Sequence, residues 1–240
     1  MHRLIYISLF ALLTSSLFAQ SFSKIDLSLQ SGLSIPLFEY AAKNLQDGSF
    51  AMPGYTVAGE LSTNLRFNGG EKSANGNNNT GIFVQSGLTL NPIDVGYLGY
   101  EKMQADPFIT KLFIRSEPFK VIHLLGGVSY NYPLFTKVNL QGQLGAGVFF
   151  SSTPYQLYKP EYFPFGPPYF EITPSKDISF AYTAGLRAIY ETNPWYQIAL
   201  SASFKRSKAA FDFYSGNTLR TDERYISLFD ASLTLILKLF

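Results

Sequence analysis

FDASLTLILKLF, the stretch from Phe229 to Phe240, decides the fold class. Its apolar side chains fall on one parity and its polar ones on the other, apart from Ile236 and the final Phe240. A period of two is typical of a β-strand with one apolar and one polar face. At the edge of a soluble sheet such a strand would expose unpaired backbone groups and invite aggregation. Pairing with the first strand instead closes a cylinder whose apolar face lies in lipid. We therefore expect a β-barrel.

The composition supports a membrane barrel. The 240 residues fit one domain, and they are 46% hydrophobic, 16% aromatic and only 15% charged, against ~25% charged in soluble domains. No internal segment carries the ~18 consecutive apolar residues of a membrane helix. The net charge of +2 does not indicate the strongly basic surface that binds nucleic acid. The absence of Cys excludes disulfides, a thiol nucleophile and a Cys-based zinc site.

The first residues have the pattern of an export signal. Arg3 precedes the apolar run Leu4 to Leu13, and Ala19 is a small residue before the expected cleavage. We expect residues 1–19 to be a signal peptide and residues 20–240 to be the barrel domain. No Cys follows the signal, so no lipoprotein-type anchor is expected. Export combined with a barrel pattern predicts the outer membrane of a Gram-negative cell.

Alternation elsewhere in the chain predicts an antiparallel up-and-down transmembrane barrel, with eight strands favoured and ten as the alternative. The expected strands are Ile25–Ile35, Tyr55–Phe67, Ile82–Leu90, Lys120–Tyr132, Val138–Phe150, Ile178–Tyr190, Trp195–Lys205 and Phe229–Phe240. Long loops should then lie outside the cell, at Phe38–Pro53, Asn91–Pro118, Ser151–Lys176 and Ser207–Glu223.

Phe108 to Arg115 is the ambiguous stretch of this pattern, since it reads as a ninth strand or as part of a hairpin above the membrane. We favour the second interpretation, because eight strands place both chain ends on the periplasmic side. A ten-stranded barrel would also use the loop Ser151–Lys176.

The eight-strand register predicts two rings of aromatic residues, as a barrel needs at its two interfaces. The expected periplasmic ring contains Phe67, Tyr130, Tyr132, Tyr190, Trp195, Tyr196 and Phe240, and the outer ring contains Tyr55, Phe150, Phe180, Tyr182, Phe204 and Tyr225.

Charged residues of both signs are predicted to face the lumen. They are Asp26, Glu60, Asp230, Arg66, Arg187 and Lys238. We favour a plug of paired charges over an ion path or proton relay, because side chains can fill an eight-stranded barrel and buried charges need partners. Sequence does not say which residues pair.

No catalytic, cofactor-binding or metal-binding residue is predicted. His123, the single His of the mature chain, is expected to face inward as a hydrogen-bonded residue, because a catalytic base needs a nucleophile and an orienting partner. The chain has no paired ligands at metal spacing, no Gly-rich phosphate loop and no G-x-S-x-G elbow.

Two loops carry the candidate contact surfaces. The loop 151–176 contains YQLYKPEYFPFGPPYF, Tyr155 to Phe170, which predicts a lid over the barrel mouth or, less favoured, a recognition surface for a sugar or a protein. The fourth loop has a set of cations that could contact lipopolysaccharide phosphates or simply be solvated. These cations are Lys205, Arg206, Lys208, Arg220 and Arg224.

The whole mature chain resembles the small outer-membrane β-barrel family of Gram-negative bacteria, porin-like or similar to the OmpA transmembrane domain. The features that carry the resemblance are LFAQ at residues 17–20, VNLQGQLGAGVFF at 138–150, ISFAYTAGLRAIY at 178–190 and SLTLILKLF at 232–240. The resemblance implies assembly by the barrel-assembly machinery and contact with outer-membrane lipid and lipopolysaccharide. The family has no universal catalytic residues, so none are carried over.

The predicted function is non-enzymatic: a structural or surface-recognition barrel with a filled lumen, with the loop 151–176 meeting an extracellular ligand or protein partner. The alternative is a small channel or a transporter for small or apolar solutes. A lipid A-modifying enzyme is less favoured, because it needs an accessible His and Ser on the outer face. A secretion-system component is a further possibility.

Overall fold

The computed structural model describes residues 25–46, 48–64, 80–215 and 218–239. The predicted signal peptide, Arg66, Phe67 and Phe240 lie outside these residues. The described strands are β1 Ile25–Pro36, β2 Gly54–Asn64, β3 Thr80–Asn91, β4 Ile109–Ser116, β5 Phe119–Phe135, β6 Val138–Ser152, β7 Gln156–Tyr162, β8 Phe170–Ile172, β9 Lys176–Tyr190, β10 Tyr196–Ser215 and β11 Thr218–Lys238. The described residues also form one α-helix, α1, at Val95–Ala105, and one 3-10 turn at Phe38–Tyr40.

Eight of these strands form a closed antiparallel barrel in the ring order β1-β11-β10-β9-β6-β5-β3-β2. The last strand pairs with the first, and Leu29 lies opposite Leu235. The eight-strand prediction and closure by the final strand are therefore confirmed, and the ten-strand alternative is not adopted.

The barrel wall has the alternation that the sequence predicts. Leu33 and Leu200 face outward and are more than half exposed on the isolated chain, whereas Ser34 and Thr183 face inward and are buried. Large apolar side chains thus cover the outside of the cylinder, where a soluble protein would place polar ones. This is the surface of a transmembrane barrel, because lipid is the solvent that such a belt requires.

The described members of both predicted aromatic rings lie on this outer surface. Each is at least 37% exposed except Phe204, which is half-buried. The rings mark the upper and lower limits of the apolar belt.

The fourth loop was predicted wrongly as irregular chain from Ser207 to Glu223. Strands β10 and β11 instead continue as a paired ribbon, with Ala209 opposite Arg224 and Phe213 opposite Arg220. The alternation of inward and outward side chains continues in this ribbon, as shown by Ala209 and Phe211, which both face inward and are buried. The high density of charged residues hid that period.

Phe108 to Arg115 contributes β4, which lies outside the barrel ring, as the favoured interpretation requires. The expected local hairpin is not formed, however. β4 pairs with β7 of the next long connection, and β7 pairs with β8, so two connections share one small sheet. We call the segments 37–53, 92–118 and 153–175 together the lid.

Helix α1 belongs to the lid and was not predicted. Asp94 caps it by accepting a hydrogen bond from the backbone N–H of Tyr97 at 3.0 Å. Only Leu98 and Gly99 of its residues are buried, so the sequence carries little helical periodicity. Among the described residues, no helix is both long and apolar enough to cross a membrane.

The interior of the wall depends on a close approach between strands. Gly127 lies opposite Gly145 on the neighbouring strand, and a Cβ on Gly127 would stand 2.1 Å from the carbonyl oxygen of Leu144. A Cβ on Gly145 would stand 2.9 Å from the ring of the buried Phe83. These glycines therefore admit a neighbouring backbone and an inward phenyl ring.

Ile236, the exception in the closing strand, has a role in the lumen. It faces inward, is buried, and packs with Ile189 and Ala199. The three side chains form a small apolar floor toward the periplasmic end. One misplaced residue in the alternation therefore marks a local apolar contact rather than a change of register.

Candidate functional site

The centre of the lumen is an ion pair between Glu60 of β2 and Arg187 of β9. These two strands are four positions apart in either direction around the ring, so the pair spans the barrel. The Arg187 guanidinium donates two hydrogen bonds of 2.9 Å, one to each carboxylate oxygen. Both side chains are at most 2% exposed. A bidentate geometry of this kind is the strong form of a charge-assisted contact.

Amide side chains surround the ion pair and complete its hydrogen bonding. Gln143 and Gln30 donate to the Glu60 oxygens at 3.1 and 3.3 Å. Arg187 also donates to Gln141 and to the hydroxyl of Ser201, both at 3.1 Å. A buried charge is costly unless such partners are present, and here five strands supply them.

A second charged group lies across the lumen. Lys205 Nζ stands 2.8 Å from Asp230 Oδ2, with both side chains at most 3% exposed. On its other side the same Nζ is 3.2 Å from His123 Nε2. Lys205 is therefore a lumen residue, and its assignment to the lipopolysaccharide-facing loop was wrong. The parity of β10 could have found it, since Phe204 faces outward.

The structure thus brings together three of the predicted inward charges, Glu60, Arg187 and Asp230, in the buried lumen. Asp26 and Lys238 lie directly opposite each other at the periplasmic end, and both are half-buried. Arg66 is outside the described residues. The glutamines and Lys205 are the members of the network that sequence reasoning missed.

Above the charged groups the lumen becomes apolar. Its inward side chains there form one continuous core with the lid, comprising Val121, Leu125, Phe149, Ala181, Ala209, Phe211, Ile226 and Leu228 from the barrel. The lid adds Tyr40, Phe50, Ala51, Ile93, Leu98, Ile114 and Tyr158. The mouth of the barrel is therefore filled by a hydrophobic core rather than by solvent.

The aromatic loop divides into two parts. Tyr158 is buried, and Phe170 stacks on it with ring centroids 4.6 Å apart. The tip points away from the barrel, with Phe163 74%, Phe165 96% and Tyr169 57% exposed. The base of the loop thus behaves as the predicted lid, while the tip presents free aromatic surface.

Polar contacts hold the lid segment 37–53 against strand β11 and against the start of helix α1. Arg224 donates to the carbonyl of Gly48 at 3.1 Å and pairs with Asp222 at 2.6 Å. Lys43 pairs with Asp94 at 2.7 Å, and this hydrogen bond lowers the pKa of the Asp94 carboxyl. Arg224 is therefore a structural tie, and its own charge is already matched.

Catalytic machinery was not predicted, and the described residues do not assemble a cluster of three or more His, Cys, Asp or Glu able to hold a metal ion. His123 is buried at the Lys205 ammonium and near the Phe149 ring. It faces the lumen, as its parity predicts.

The outer wall carries a shallow apolar groove of about 610 Å³ over β5, β6, β9 and β10. Its lining includes Val128, Leu144 and Leu186, which face outward, next to the small residues Gly142 and Ala184. The groove lies in the lipid-facing belt, so hydrocarbon chains fill it when the barrel is in a membrane.

Comparisons with known proteins return outer-membrane barrels. No family model matches the chain, and no curated protein matches it. Among solved structures, a major outer membrane protein from Thermus thermophilus is 11% identical, with a TM-score of 0.49 and coverage of 90% of this chain and 98% of that one. The attachment invasion locus protein Ail of Yersinia pestis is 14% identical, with a TM-score of 0.44 and coverage of 91% and 99%.

Neisserial surface protein A is a further similar structure, at 10% identity, a TM-score of 0.39 and coverage of 89% and 96%. Such low identities say nothing about ligand or activity, so the architecture of this chain stands on its own strand pairings.

The fold and its surface define the class. An even number of antiparallel strands, a closed ring and an apolar outer band between aromatic rings are the construction of outer-membrane barrels. The chain is an integral outer-membrane β-barrel.

Proposed function

We propose that this protein is a non-enzymatic surface barrel that does not conduct solutes and that presents the tip of its lid to a protein partner outside the cell. The observation that carries the proposal is the continuity of the apolar core from the upper lumen into the lid. A barrel that opened for transport would have to expose that core to water, at ~25 cal/mol for each Å² of apolar surface.

The exposed tip supplies the contact surface. Phe163, Phe165 and Tyr169 lie outside the core, and Phe113 on the outer face of β4 adds a further exposed ring. Aromatic residues are enriched at protein interfaces, since they bury a large area at low entropic cost. These rings are exposed on the isolated chain, and contact with a partner would remove their apolar surface from water.

Conductance separates this proposal from the transport alternative. Purified barrel in planar bilayers is expected to show no discrete current steps, because charged and apolar layers both fill the lumen. The matched control is the same barrel with Glu60→Ala and Arg187→Ala, which tests whether the charged layer alone blocks ions. Discrete steps from the unaltered chain would contradict the closed-barrel proposal.

A photoreactive amino acid at position 165 tests the recognition surface. In intact outer membranes we expect a discrete protein adduct, which is reduced when Phe163 and Tyr169 are changed to Ser. The same probe at position 144, which faces lipid, is the control and should yield lipid adducts. Lipid adducts alone at position 165, or none, would refute a protein partner at the tip.

A further inference from the structure

Arg206 stands apart from the other cations of the β10–β11 ribbon. It faces outward from β10, and its guanidinium carbon lies 4.5 Å from the ring centroid of Tyr225 and 5.9 Å from that of Phe38. Tyr182, which is directly opposite Arg206 on β9, also faces outward. An arginine thus lies among aromatic rings on the side of the barrel that meets lipid.

The height of Arg206 places it at the outer membrane surface. It follows Tyr196, a member of the periplasmic aromatic ring, by ten residues along β10. A strand rises about 3.3 Å per residue and tilts by about 40°, so ten residues climb roughly 25 Å. That rise equals the height of the apolar band of an outer-membrane barrel, about 25 Å. Arg206 therefore lies at the level of the outer-leaflet headgroups.

Within the part of the chain that the structure describes, no acidic side chain neutralises this charge. No carboxylate of the described residues lies within ion-pair distance of Arg206, whereas Lys208 pairs with Glu223, Arg224 with Asp222 and Lys205 with Asp230. Arg206 is also half-buried, so water reaches only part of it. A partly desolvated cation without an anion is unfavourable, and an anion at the membrane surface can supply what the described residues lack.

The chemistry of the site selects the anion. A guanidinium presents a planar fork that matches phosphate oxygens, and stacking on aromatic rings fixes the plane of the fork. The flanking rings sit at the interface, where an amphipathic lipid places its phosphate above its acyl chains. A free phosphate ion has no apolar portion to contact these rings.

We propose that Arg206, with Phe38 and Tyr225 around it, binds the phosphate of an outer-leaflet lipid, the phosphorylated glucosamine headgroup of lipid A. Lys208, which lies directly opposite Tyr225, borders the site with its ammonium 5.9 Å from the Tyr225 ring centroid, and its charge is shared with Glu223. The site depends on the barrel lying in the membrane and is independent of the protein partner proposed for the tip.

Binding of lipid A to the purified barrel in phosphatidylcholine nanodiscs tests the site. Doubly phosphorylated lipid A is titrated against the unaltered chain, Arg206→Gln and the control Arg220→Gln, whose exposed side chain lies farther along the ribbon. We expect Arg206→Gln to weaken binding about tenfold, the equivalent of 1.4 kcal/mol, and Arg220→Gln to leave it within twofold. Lys208→Gln should produce a smaller loss.

Two further arms identify the source of the phosphate. Enzymatically dephosphorylated lipid A should bind weakly and equally to the unaltered chain and to Arg206→Gln. Inorganic phosphate at millimolar concentration should not displace lipid A. Equal binding of doubly phosphorylated lipid A by the unaltered chain and Arg206→Gln would overturn the proposal, and so would displacement by inorganic phosphate. A folded-barrel gel shift for each variant confirms that assembly is intact.

Discussion

Glu60 and Arg187 show how single residues stabilise the inside of this barrel. They come from opposite walls, and their two 2.9 Å hydrogen bonds join strands that do not touch each other. Removing one partner of a buried pair leaves an uncompensated charge, while replacing both with apolar side chains removes the charges together. Each charge of the pair therefore mainly offsets the cost of burying the other, and the pair adds little net stability.

The expected result of a double-mutant cycle follows from that compensation. Glu60→Met or Arg187→Met alone should lower the free energy of unfolding by about 3–5 kcal/mol. The double change should cost clearly less than the sum of the two. Urea unfolding in lipid vesicles, followed by the fluorescence of Trp195, the single Trp, measures these values.

The exposed pair Lys111–Glu161 is the matched control. Its atoms are 3.3 Å apart, and its side chains are 77% and 66% exposed. The same methionine substitutions there should change stability by less than about 1 kcal/mol. Equal costs at the two pairs would show that burial in the lumen does not matter.

The lid is the element whose stability depends on others. Its described elements, three strands, one α-helix and one 3-10 turn, form too small a unit to be stable alone, and they are held by packing on the apolar upper lumen. Tyr40 packs edge-on against Phe119 of the barrel, with ring centroids 5.4 Å apart. Opening of the lid is therefore expected before unfolding of the barrel wall.

Alkaline pH should open the lid. Burial raises the pKa of Tyr40 and of Tyr158 above the ordinary tyrosine value of about 10. A raised pKa contributes stability that is complete below pH 10 and is lost as the pH rises further. Each unit above pH 10 should favour the open lid by up to about 1.4 kcal/mol for each tyrosine. Limited proteolysis between pH 9 and 11.5 should cleave the lid first.

Phenylalanine at both positions should remove most of this alkaline sensitivity. Tyr55→Phe is the control, since Tyr55 is 74% exposed and should not alter the profile. Tyr40→Phe should also cost little stability at neutral pH, because the buried Tyr40 hydroxyl has no hydrogen-bond partner among the described residues. Cleavage that is independent of these tyrosines would argue against their role in holding the lid.

At the scale of the whole molecule, the barrel reverses the arrangement of a soluble protein. Leu200 and Leu144 are 68% and 63% exposed on the wall, while Glu60, Arg187 and Lys205 are enclosed. The driving force for this arrangement is the absence of water in the bilayer, which forces every backbone group of the wall into strand pairing. Lipid then covers the apolar belt.

A charge placed on the belt should report the membrane depth of its position. Leu200 lies near the middle of the membrane-spanning part of β10, and Leu200→Arg should reduce stability by about 2–4 kcal/mol in lipid vesicles. The control is Phe113→Arg on the outer face of the lid, where an equally exposed apolar side chain meets water. That change should be nearly neutral, and equal costs at both sites would contradict the membrane placement.

The predicted parts of the fold are those that depend on local alternation. Val128 and Ser129, or Leu186 and Arg187, take opposite sides of the wall because successive strand residues must do so. Two predictions were wrong. The ribbon around Ala209 and Phe211 was missed because charged residues hid its alternation, and the local hairpin at β4 was wrong because β4 pairs with a strand that is distant in the chain. The β4–β7 contact joins residues that are 40 to 53 positions apart, from Ser116–Gln156 to Ile109–Tyr162, and no local pattern encodes such a pairing.

Local alternation was sufficient to predict which residues face the lumen and which face lipid, because a period of two involves only neighbouring residues. It also determined that charges of both signs share the lumen. The charge partners, the place of Lys205 among them and the continuity of the lid with the apolar core became visible only in the folded barrel. Those contacts are set by ring order and strand stagger, which arise when the cylinder closes.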